Sequence, residues 1–303
     1  MTMRRYLPGL LATVSLLLAV CAPPFCHAQQ RPGGAADGVS LVELLNRVRA
    51  KAHALENAPG MRDAFQSFLT AHQLAPGSVR YSDFVLIRLL FEATRDAGFW
   101  NLHWQITDQP PNSDNIWRQW AKATRPAFAR PTAIAECDEL SALYAFLVER
   151  NGVKTVGLFW PAANHTVAVW IVKPASARPI RVVVPTSQIF LEESDSFDTH
   201  KFDPWRQKTI YEYTRRDVPD SFILPKGLAD FFLKQIDTYG GASDATLQRL
   251  RYVRDAVFVG NWSTEQAAQD ALRRLAALPP GTPEDASALQ TFASDMRFER
   301  WRQ

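Results

Sequence analysis

The feature that most constrains the fold is one amphipathic helical period followed at once by a series of β-forming runs. From Cys137 to Arg150, apolar residues recur with the i, i+3, i+4, i+7 and i+8 spacing of a helix packed on one side, and Asn151-Gly152 is typical of a helix end. The β-rich runs after it are 153–160, 165–172, 180–184 and 209–213. The first three are joined by connections too short for a crossover helix. We therefore predict an α+β fold in which this helix packs on an antiparallel sheet.

Helical spacing returns on both sides of this unit. Ser40 is a good capping residue in front of the apolar period 41–48, and further helices are predicted near 64–69 and over 84–97, with Gly98 at the end of the last. The pattern is helical again from Lys226 onward. The predicted organisation is a signal peptide (1–28), a flexible lead-in (29–39), a helical N-terminal part (40–130), an α+β core (131–225) and a helical C-terminal part (226–303).

The N-terminal segment has the layout of a secretory signal peptide. Arg4 and Arg5 provide the positive start, the apolar stretch spans 10–20, and Cys26-His27-Ala28 fits a cleavage site. The eleven residues of the apolar stretch are too few to cross about 30 Å of hydrocarbon. We prefer cleavage to a lipid anchor at Cys21, because a branched valine precedes that cysteine where lipoprotein signals carry a small residue. We therefore expect a periplasmic or secreted protein without stable membrane insertion.

Composition and missing motifs exclude several classes of function. Lys and Arg total 34 against 31 Asp and Glu, and the charges are interspersed, which excludes the clustered basic surface of a nucleic-acid binder. The sequence has no G-x-G for a dinucleotide, no Gly-Lys pair for a phosphate loop, no G-x-S-x-G and no H-E-x-x-H. We therefore predict neither a cofactor nor a metal site.

Cys137 is the only cysteine left once residues 1–28 are removed, so no internal disulfide is expected. It opens the predicted helix, where unpaired backbone N–H groups and the helix dipole favour the nucleophilic thiolate and lower the thiol pKa from about 8.5. The carboxylates of Glu136, Asp138 and Glu139 oppose this effect. The alternative is that Cys137 is an ordinary buried side chain.

His165 is the candidate partner of this thiol, because a thiol activated by an imidazole is the recurring arrangement of cysteine nucleophiles. It opens the run 165–172, in which strand alternation puts it on one face with Val167 and Val169. If that face packs on the Cys137 helix, the sulfur and the ring meet.

These residues together resemble the transglutaminase-like cysteine protease superfamily over residues 130–190. Cys137 opens a helix of the form C-x-x-x-S-A-L-x-x-x-L-x-x-x-x-G, a strand with Gly157 follows, and the His165 strand contains Trp170. Val183-Val184-Pro185-Thr186 comes next. The resemblance implies a papain-like core with a cysteine on a helix, a histidine on one strand and an aspartate on the next, often written Asp-Pro-Thr.

The third position departs from that pattern, since Val184 stands where the resemblance expects the aspartate. Thr186 is our first candidate for the residue that orients His165. The alternatives left open are Ser187, Gln188 and Asp203. A neutral orienting group is compatible with activity, as in Cys-His-Asn proteases.

The same resemblance implies an oxyanion site made of the backbone N–H of Cys137 and one further donor. The candidate donors are the side chains of Gln105, Gln119, Trp117 and Trp120. The tryptophans at 104, 117, 120 and 160 are predicted either to line a substrate groove or to belong to the core.

Two functions follow from these residues. The first is an exported cysteine hydrolase that acts on peptide or amide bonds of a peptide or protein substrate through Cys137, His165 and Thr186, with hydrolysis preferred to cross-linking. The second is a non-catalytic protein with a degenerate transglutaminase-like fold that binds a peptide or an envelope polymer.

Overall fold

The structure is a computed structural model that describes residues 38–123, 126–127, 130–162, 165–174, 178–187 and 211–258, together with positions 273, 277 and 281. The predicted signal peptide and most of the predicted lead-in lie outside the described residues, as do Gln188 and Asp203. Positions 38 and 39, which we assigned to the lead-in, begin the first strand.

The described residues form a mixed α+β fold, as predicted. The helices are α1 (Leu41–Leu55), α2 (Met61–Ala71), α3 (Tyr81–Thr94), α4 (Asp114–Trp120), α5 (Cys137–Arg150), α6 (Lys226–Tyr239) and α7 (Asp244–Phe258). The strands are β1 (Gly38–Ser40), β2 (Leu102–Trp104), β3 (Ala133–Ala135), β4 (Val156–Ala162), β5 (His165–Val172), β6 (Ile180–Val184), β7 (Tyr211–Glu212) and β8 (Ile223–Pro225). Among these helices, none has both the length and the apolar character needed to cross a membrane.

The main sheet has four strands in the order β6-β5-β4-β7, and every neighbouring pair is antiparallel, as predicted. β4 and β5 pair from Val156 opposite Trp170 onward, with a bulge between Phe159 and Ala162. Two small pairs lie outside this sheet: β1 with β8, antiparallel, and β2 with β3, parallel. Sequence analysis missed all four of these strands, because three residues are too few to show a period of two.

α5 is the central helix, and its sequence explains both its start and its burial. Glu136 and Glu139 form a capping box that satisfies backbone N–H groups at the N-terminus. The side chains from Leu140 to Val148 are buried, and they pack with α3 on one side and the main sheet on the other. The predicted helix-on-sheet arrangement is therefore confirmed.

The face of β5 that meets α5 differs from the one we expected. Ala168 and Trp170 belong to the same core as α5, and the hydroxyl of Ser141 reaches the carbonyl oxygen of Thr166. Val167 and Val169 point the other way and form a separate buried cluster with partners on the neighbouring strands. His165 shares their alternation, so the face on which we expected it to meet α5 is not the packed one; the residue of this strand end that contacts α5 is Thr166.

The helices from the N-terminal part surround this unit and position a tight turn beside it. Ser40 caps α1 by accepting the N–H of Glu43 at 3.2 Å, as the sequence predicted. α3 ends at Thr94, three residues before the predicted limit. The turn after it contains Gly98, where a Cβ atom would lie 2.5 Å from the carbonyl oxygen of Glu92, so only glycine fits.

Candidate active site

The start of α5 and the start of β5 meet at the sulfur of Cys137. Cys137 is a free cysteine, 8% exposed, and is the first residue of α5. Its sulfur accepts a hydrogen bond from the backbone N–H of Thr166, the second residue of β5. His165, 1% exposed, is the adjacent residue on that strand. His165 is therefore the sequence neighbour of the residue whose N–H reaches the sulfur, and the side chains of Cys137 and His165 are both almost enclosed by protein.

Burial keeps both groups neutral. It raises the pKa of the Cys137 thiol, the charges of Asp138 and Glu136 raise it further, and the N–H groups of Thr166 and Asp138 only partly oppose the rise. Burial and the neighbouring carboxylates, whose opposing effect the sequence indicated, therefore outweigh the lowering that the helix N-terminus favours. Burial also lowers the pKa of His165 to about 4. At pH 7 the site consequently holds a thiol and a neutral imidazole rather than an ion pair.

Thr186 links the end of β6 to the first turn of α5. Its hydroxyl lies 2.7 Å from the hydroxyl of Ser141 and 3.4 Å from the carbonyl oxygen of Cys137. Its own carbonyl accepts the N–H of Asp96 at 2.8 Å. The hydrogen bonds of the Thr186 hydroxyl are thus to residues of α5. Its role in orienting His165 stays a prediction.

Ser187 is the next residue, and its side chain is fully buried. Its hydroxyl has no hydrogen-bond partner in the part of the chain that the structure describes. The two other candidates for the third position, Gln188 and Asp203, lie outside the described residues.

Glu136, Asp138 and Glu139, the carboxylate cluster, surround the start of α5. Glu136 accepts the N–H groups of Thr107 at 3.3 Å and Gln109 at 3.2 Å. Glu139, fully buried, accepts the Thr107 hydroxyl and, in the capping box, the backbone N–H of Glu136 at 2.9 Å. These bonds hold the segment after β2 over the helix start.

The carboxylate cluster also has the donor set that a hard cation would use. Its three oxygen ligands lie within 4.8 Å of one another. Neutral donors already satisfy Glu136 and Glu139, and the side-chain amide of Asn115 adds one more bond to Glu139 at 2.8 Å. We assign the cluster a structural role. Burial and the charge of Glu136 raise the pKa of Asp138 to about 6.

Three of the predicted oxyanion donors are hydrogen-bonded elsewhere. The indole of Trp117 donates to Ser113 at 2.8 Å, and that of Trp120 donates to the Thr132 hydroxyl at 3.3 Å. The amide of Gln119 pairs with both backbone groups of Ile134. Trp117 and Trp120 are buried in the core, which is the second of the two alternatives that the sequence predicted for them.

Trp104, which was not among the predicted donors, has an indole N–H that is available to an oxyanion. Its indole nitrogen is buried and has no hydrogen-bond partner in the structure. In the parallel β2–β3 pair, Trp104 stands opposite Ala135, two residues before Cys137. Gln105, the next residue, has an exposed side chain, and its N–H donates to Ala135 at 3.0 Å. Sequence analysis considered Trp104 only as part of a groove, because nothing in the sequence indicates the pairing of β2 with β3.

A second set of charged residues lies around the turn after α3, which is bonded to the backbone of Trp104 through Asp96. The carboxylate of Asp96 accepts the backbone N–H of Trp104 at 2.8 Å. Three buried arginines surround this turn and define the guanidinium cluster: Arg95, Arg251 and Arg254. Burial raises the pKa of Asp96, and the charges of Arg95 and Arg251 counteract that rise. Sequence analysis missed this cluster because its members come from α7 and from the end of α3, more than 150 residues apart in the chain.

No protein-family model matches this chain, and neither the curated proteins nor the solved structures give a match to it. Function is therefore inferred from the geometry of the site.

Proposed function

We propose that this protein is a transglutaminase-like cysteine hydrolase that cleaves peptide or amide bonds through Cys137 and His165. The observation that carries this proposal is the hydrogen bond from the backbone N–H of Thr166 to the sulfur of Cys137. It supports a nucleophile at the start of a helix beside a histidine at the start of a strand, which is the arrangement that the resemblance implies. The predicted signal peptide adds that the protein acts outside the cytoplasm.

The neutral state of both groups determines how the proton moves. His165 takes the proton of the Cys137 thiol while the sulfur bonds to the carbonyl carbon, and the carbonyl electron pair moves onto oxygen. When the tetrahedral intermediate collapses, the C–N bond breaks and the imidazolium gives its proton to the leaving amine. Water, deprotonated by His165, then attacks the thioester, and the acid leaves as the thiol reforms. Water is the proposed acceptor because it is abundant and no amine site is indicated.

Two N–H groups are available for the oxyanion. The backbone N–H of Cys137 is at the first position of α5, where it has no intrahelical partner. The indole N–H of Trp104 is buried and unpartnered in the adjacent β2. A buried donor without an acceptor costs stability, and an oxyanion formed only during the reaction would satisfy it. Ser141 and Thr186 contribute by fixing the carbonyl of Cys137 and hence the first turn of the helix.

Acylation by an activated ester tests the proposal directly. The full chain is mixed with p-nitrophenyl acetate, p-nitrophenolate release is followed, and intact-mass spectrometry locates the acetyl group. We expect an adduct on Cys137 that Cys137→Ala removes, and a rate that His165→Ala lowers by about a hundredfold or more. Ser67→Ala, an exposed serine on α2, is the control and should change nothing. Equal acylation rates with and without His165 would contradict the proposal.

A second function is favoured by the enclosure of the site. Cys137 is 8% exposed and His165 1% exposed, which suits a structural pair in a binding protein as well as a closed enzyme. This alternative predicts no acyl adduct, together with binding of a peptide or envelope polymer that Cys137→Ser leaves unchanged. Calorimetric titration of the wild type and Cys137→Ser with the same peptidoglycan fragments and peptides separates the two functions.

A further inference from the structure

The register between β5 and β6 determines which residue faces His165. The last pair of this antiparallel ladder joins Ala168 to Val184. In an antiparallel pair, each step forward on one strand is a step backward on the other. Three steps beyond the last pair, Ser187 therefore falls opposite His165. Val184, where the resemblance expects an aspartate, is opposite Ala168 and three residues away from that place.

Contacts beyond the last pair support the continued register. The hydroxyl of Ser141 is 3.2 Å from the carbonyl oxygen of Thr166 and 2.7 Å from the hydroxyl of Thr186. These two threonines are the residues that the same register puts opposite each other. The two segments are thus still adjacent at Thr166 and Thr186, which are the sequence neighbours of His165 and Ser187.

The side-chain directions separate the two hydroxyls that compete for the third position. Thr186 points toward α5, because it bonds to Ser141. Ser187 follows it at a bend beyond the end of β6, and the alternation of β6, continued to this position, puts its side chain on the other face. That is the face that His165 shares with Val167 by alternation. The hydroxyl on the imidazole side is therefore that of Ser187.

The burial of Ser187 gives the second, independent observation. Its side chain is fully buried, and its hydroxyl has no hydrogen-bond partner among the described residues. Buried hydroxyls are almost always bonded, and one that is not calls for an explanation such as a catalytic role. Directly opposite residues of an antiparallel pair have Cβ atoms about 5 Å apart, so a change of rotamer brings the serine oxygen to an imidazole nitrogen.

From these observations we propose that Ser187 is the positioning residue for His165 in the hydrolase proposed above, on which this inference rests. Its oxygen accepts the N–H of one ring nitrogen and directs the lone pair of the other toward the sulfur of Cys137. A hydroxyl orients the ring without adding negative charge, so the imidazole stays neutral until it accepts the thiol proton. This differs from a carboxylate, which orients the ring and stabilises its charged form.

Three substitutions at position 187 test the proposal in the full chain with the acylation assay. Ser187→Ala should slow acylation of Cys137 by about tenfold, because the ring loses its orienting bond. Ser187→Thr keeps the hydroxyl and should restore most of that loss. Ser187→Asp should move the acidic limb of the pH–rate profile upward by about one unit or more, because a carboxylate stabilises the imidazolium. Ser67→Ala is the matched serine control.

Two measurements separate positioning from a loss of structure. Ser187→Ala removes one hydroxyl and its bond to the ring, a small part of the total stability, so the thermal midpoint should stay within a few degrees of that of the wild type. Its His165 ring nitrogens, followed by NMR, should shift from one tautomer toward a mixture. The carboxylates of Glu136, Asp138 and Glu139 are the same in every variant. A shift in the acidic limb of the pH–rate profile therefore reports a change in the titration of the His165 ring.

The outcomes distinguish this inference from the proposed function. If His165→Ala slows acylation but Ser187→Ala changes neither the rate nor the ring signals, the role of Ser187 is overturned while the hydrolase stands. If His165→Ala has no effect, the proposed function fails first. Should Ser187→Asp not fold, Ser187→Asn provides the polar substitution, and Ser187→Ala alone remains decisive.

Discussion

The guanidinium cluster, beside the turn after α3, and the carboxylate cluster, at the start of α5, differ in how their buried charges are compensated. In the guanidinium cluster, Arg95 pairs with Glu92 at 2.7 Å, and neither side chain is more than 7% exposed. In the carboxylate cluster, the bonds that reach Glu136 and Glu139 come from neutral donors only.

The difference has consequences for the neighbouring groups. Where guanidinium groups are present, their charge counteracts the effect of burial on the pKa of Asp96. In the carboxylate cluster, burial and the charge of Glu136 raise the pKa of Asp138 to about 6, and the charge of Asp138 in turn adds to the burial that raises the pKa of the Cys137 thiol. We infer that the first cluster mainly stabilises the fold, and that the second keeps the thiol protonated until a substrate arrives.

The largest expected effect is on stability and comes from the guanidinium cluster. Arg254 is fully buried, donates to the carbonyl of Gly98, and donates to Gln235 at 2.8 Å. Arg254→Ala removes both bonds and leaves a cavity, so it should lower the free energy of unfolding by about 4 kcal/mol. Urea denaturation measures this. Arg47→Ala, which breaks an exposed ion pair with Glu43, should cost less than about 1 kcal/mol, and a similar cost for both variants would refute the comparison.

His165 extends the comparison to a base that burial keeps neutral. Its pKa in the folded state is about 4 against 6.5 for the free side chain, so the folded state disfavours protonation. The stability contributed by the neutral ring is present above pH 6.5 and is lost as the pH falls through 4. The loss should reach about 3 kcal/mol.

The measurement is the free energy of unfolding as a function of pH in the wild type and in His165→Gln. Glutamine has no titration in this range, so the variant should lack the fall between pH 6.5 and 4. Parallel curves for the two proteins would show that the ring is not protected from protonation.

Glu139 carries the structural role of the carboxylate cluster. Glu139→Ala deprives Asn115 and the Thr107 hydroxyl of their acceptor and breaks the capping box. It should lower the free energy of unfolding by about 2 kcal/mol, less than Arg254→Ala because one like charge is also removed. Thermal unfolding compares it with Glu43→Ala, an exposed glutamate near the start of α1, which should change the midpoint little.

The sequence was sufficient for the elements with a long period and not for what depends on contacts between distant segments. α5, β5 and β6 have the predicted bounds, because their patterns are long and clear turn residues end them. The choice between Thr186 and Ser187 depends on the register set by the connection between β5 and β6, which no local pattern specifies. The direction of the pKa shift of Cys137 was not predictable either, because burial, a tertiary property, adds to the carboxylates and outweighs the helix dipole.

The smallest effect on the free energy of unfolding is expected from Asp138→Asn, which tests the carboxylate cluster directly. The folded-state pKa of Asp138 is raised to about 6 from 3.8, so its stabilising contribution is present below pH 3.8 and is lost as the pH rises through 6. Asparagine stays neutral and keeps an oxygen for the N–H of Glu139, which Asp138 accepts at 2.7 Å. The variant should therefore be more stable than the wild type by about 1 kcal/mol at pH 7, and equally stable at pH 3.5.

The same substitution removes a negative charge beside the sulfur, so the pKa of the Cys137 thiol should fall and its alkylation by iodoacetamide at pH 7.5 should become severalfold faster. Asp63→Asn, also in the first turn of a helix but far from the thiol in sequence, is the control for both measurements. Faster alkylation without greater stability at pH 7 would mean that Asp138 acts on the thiol by access rather than by charge. The carboxylate cluster would then limit access to the thiol rather than raise its pKa.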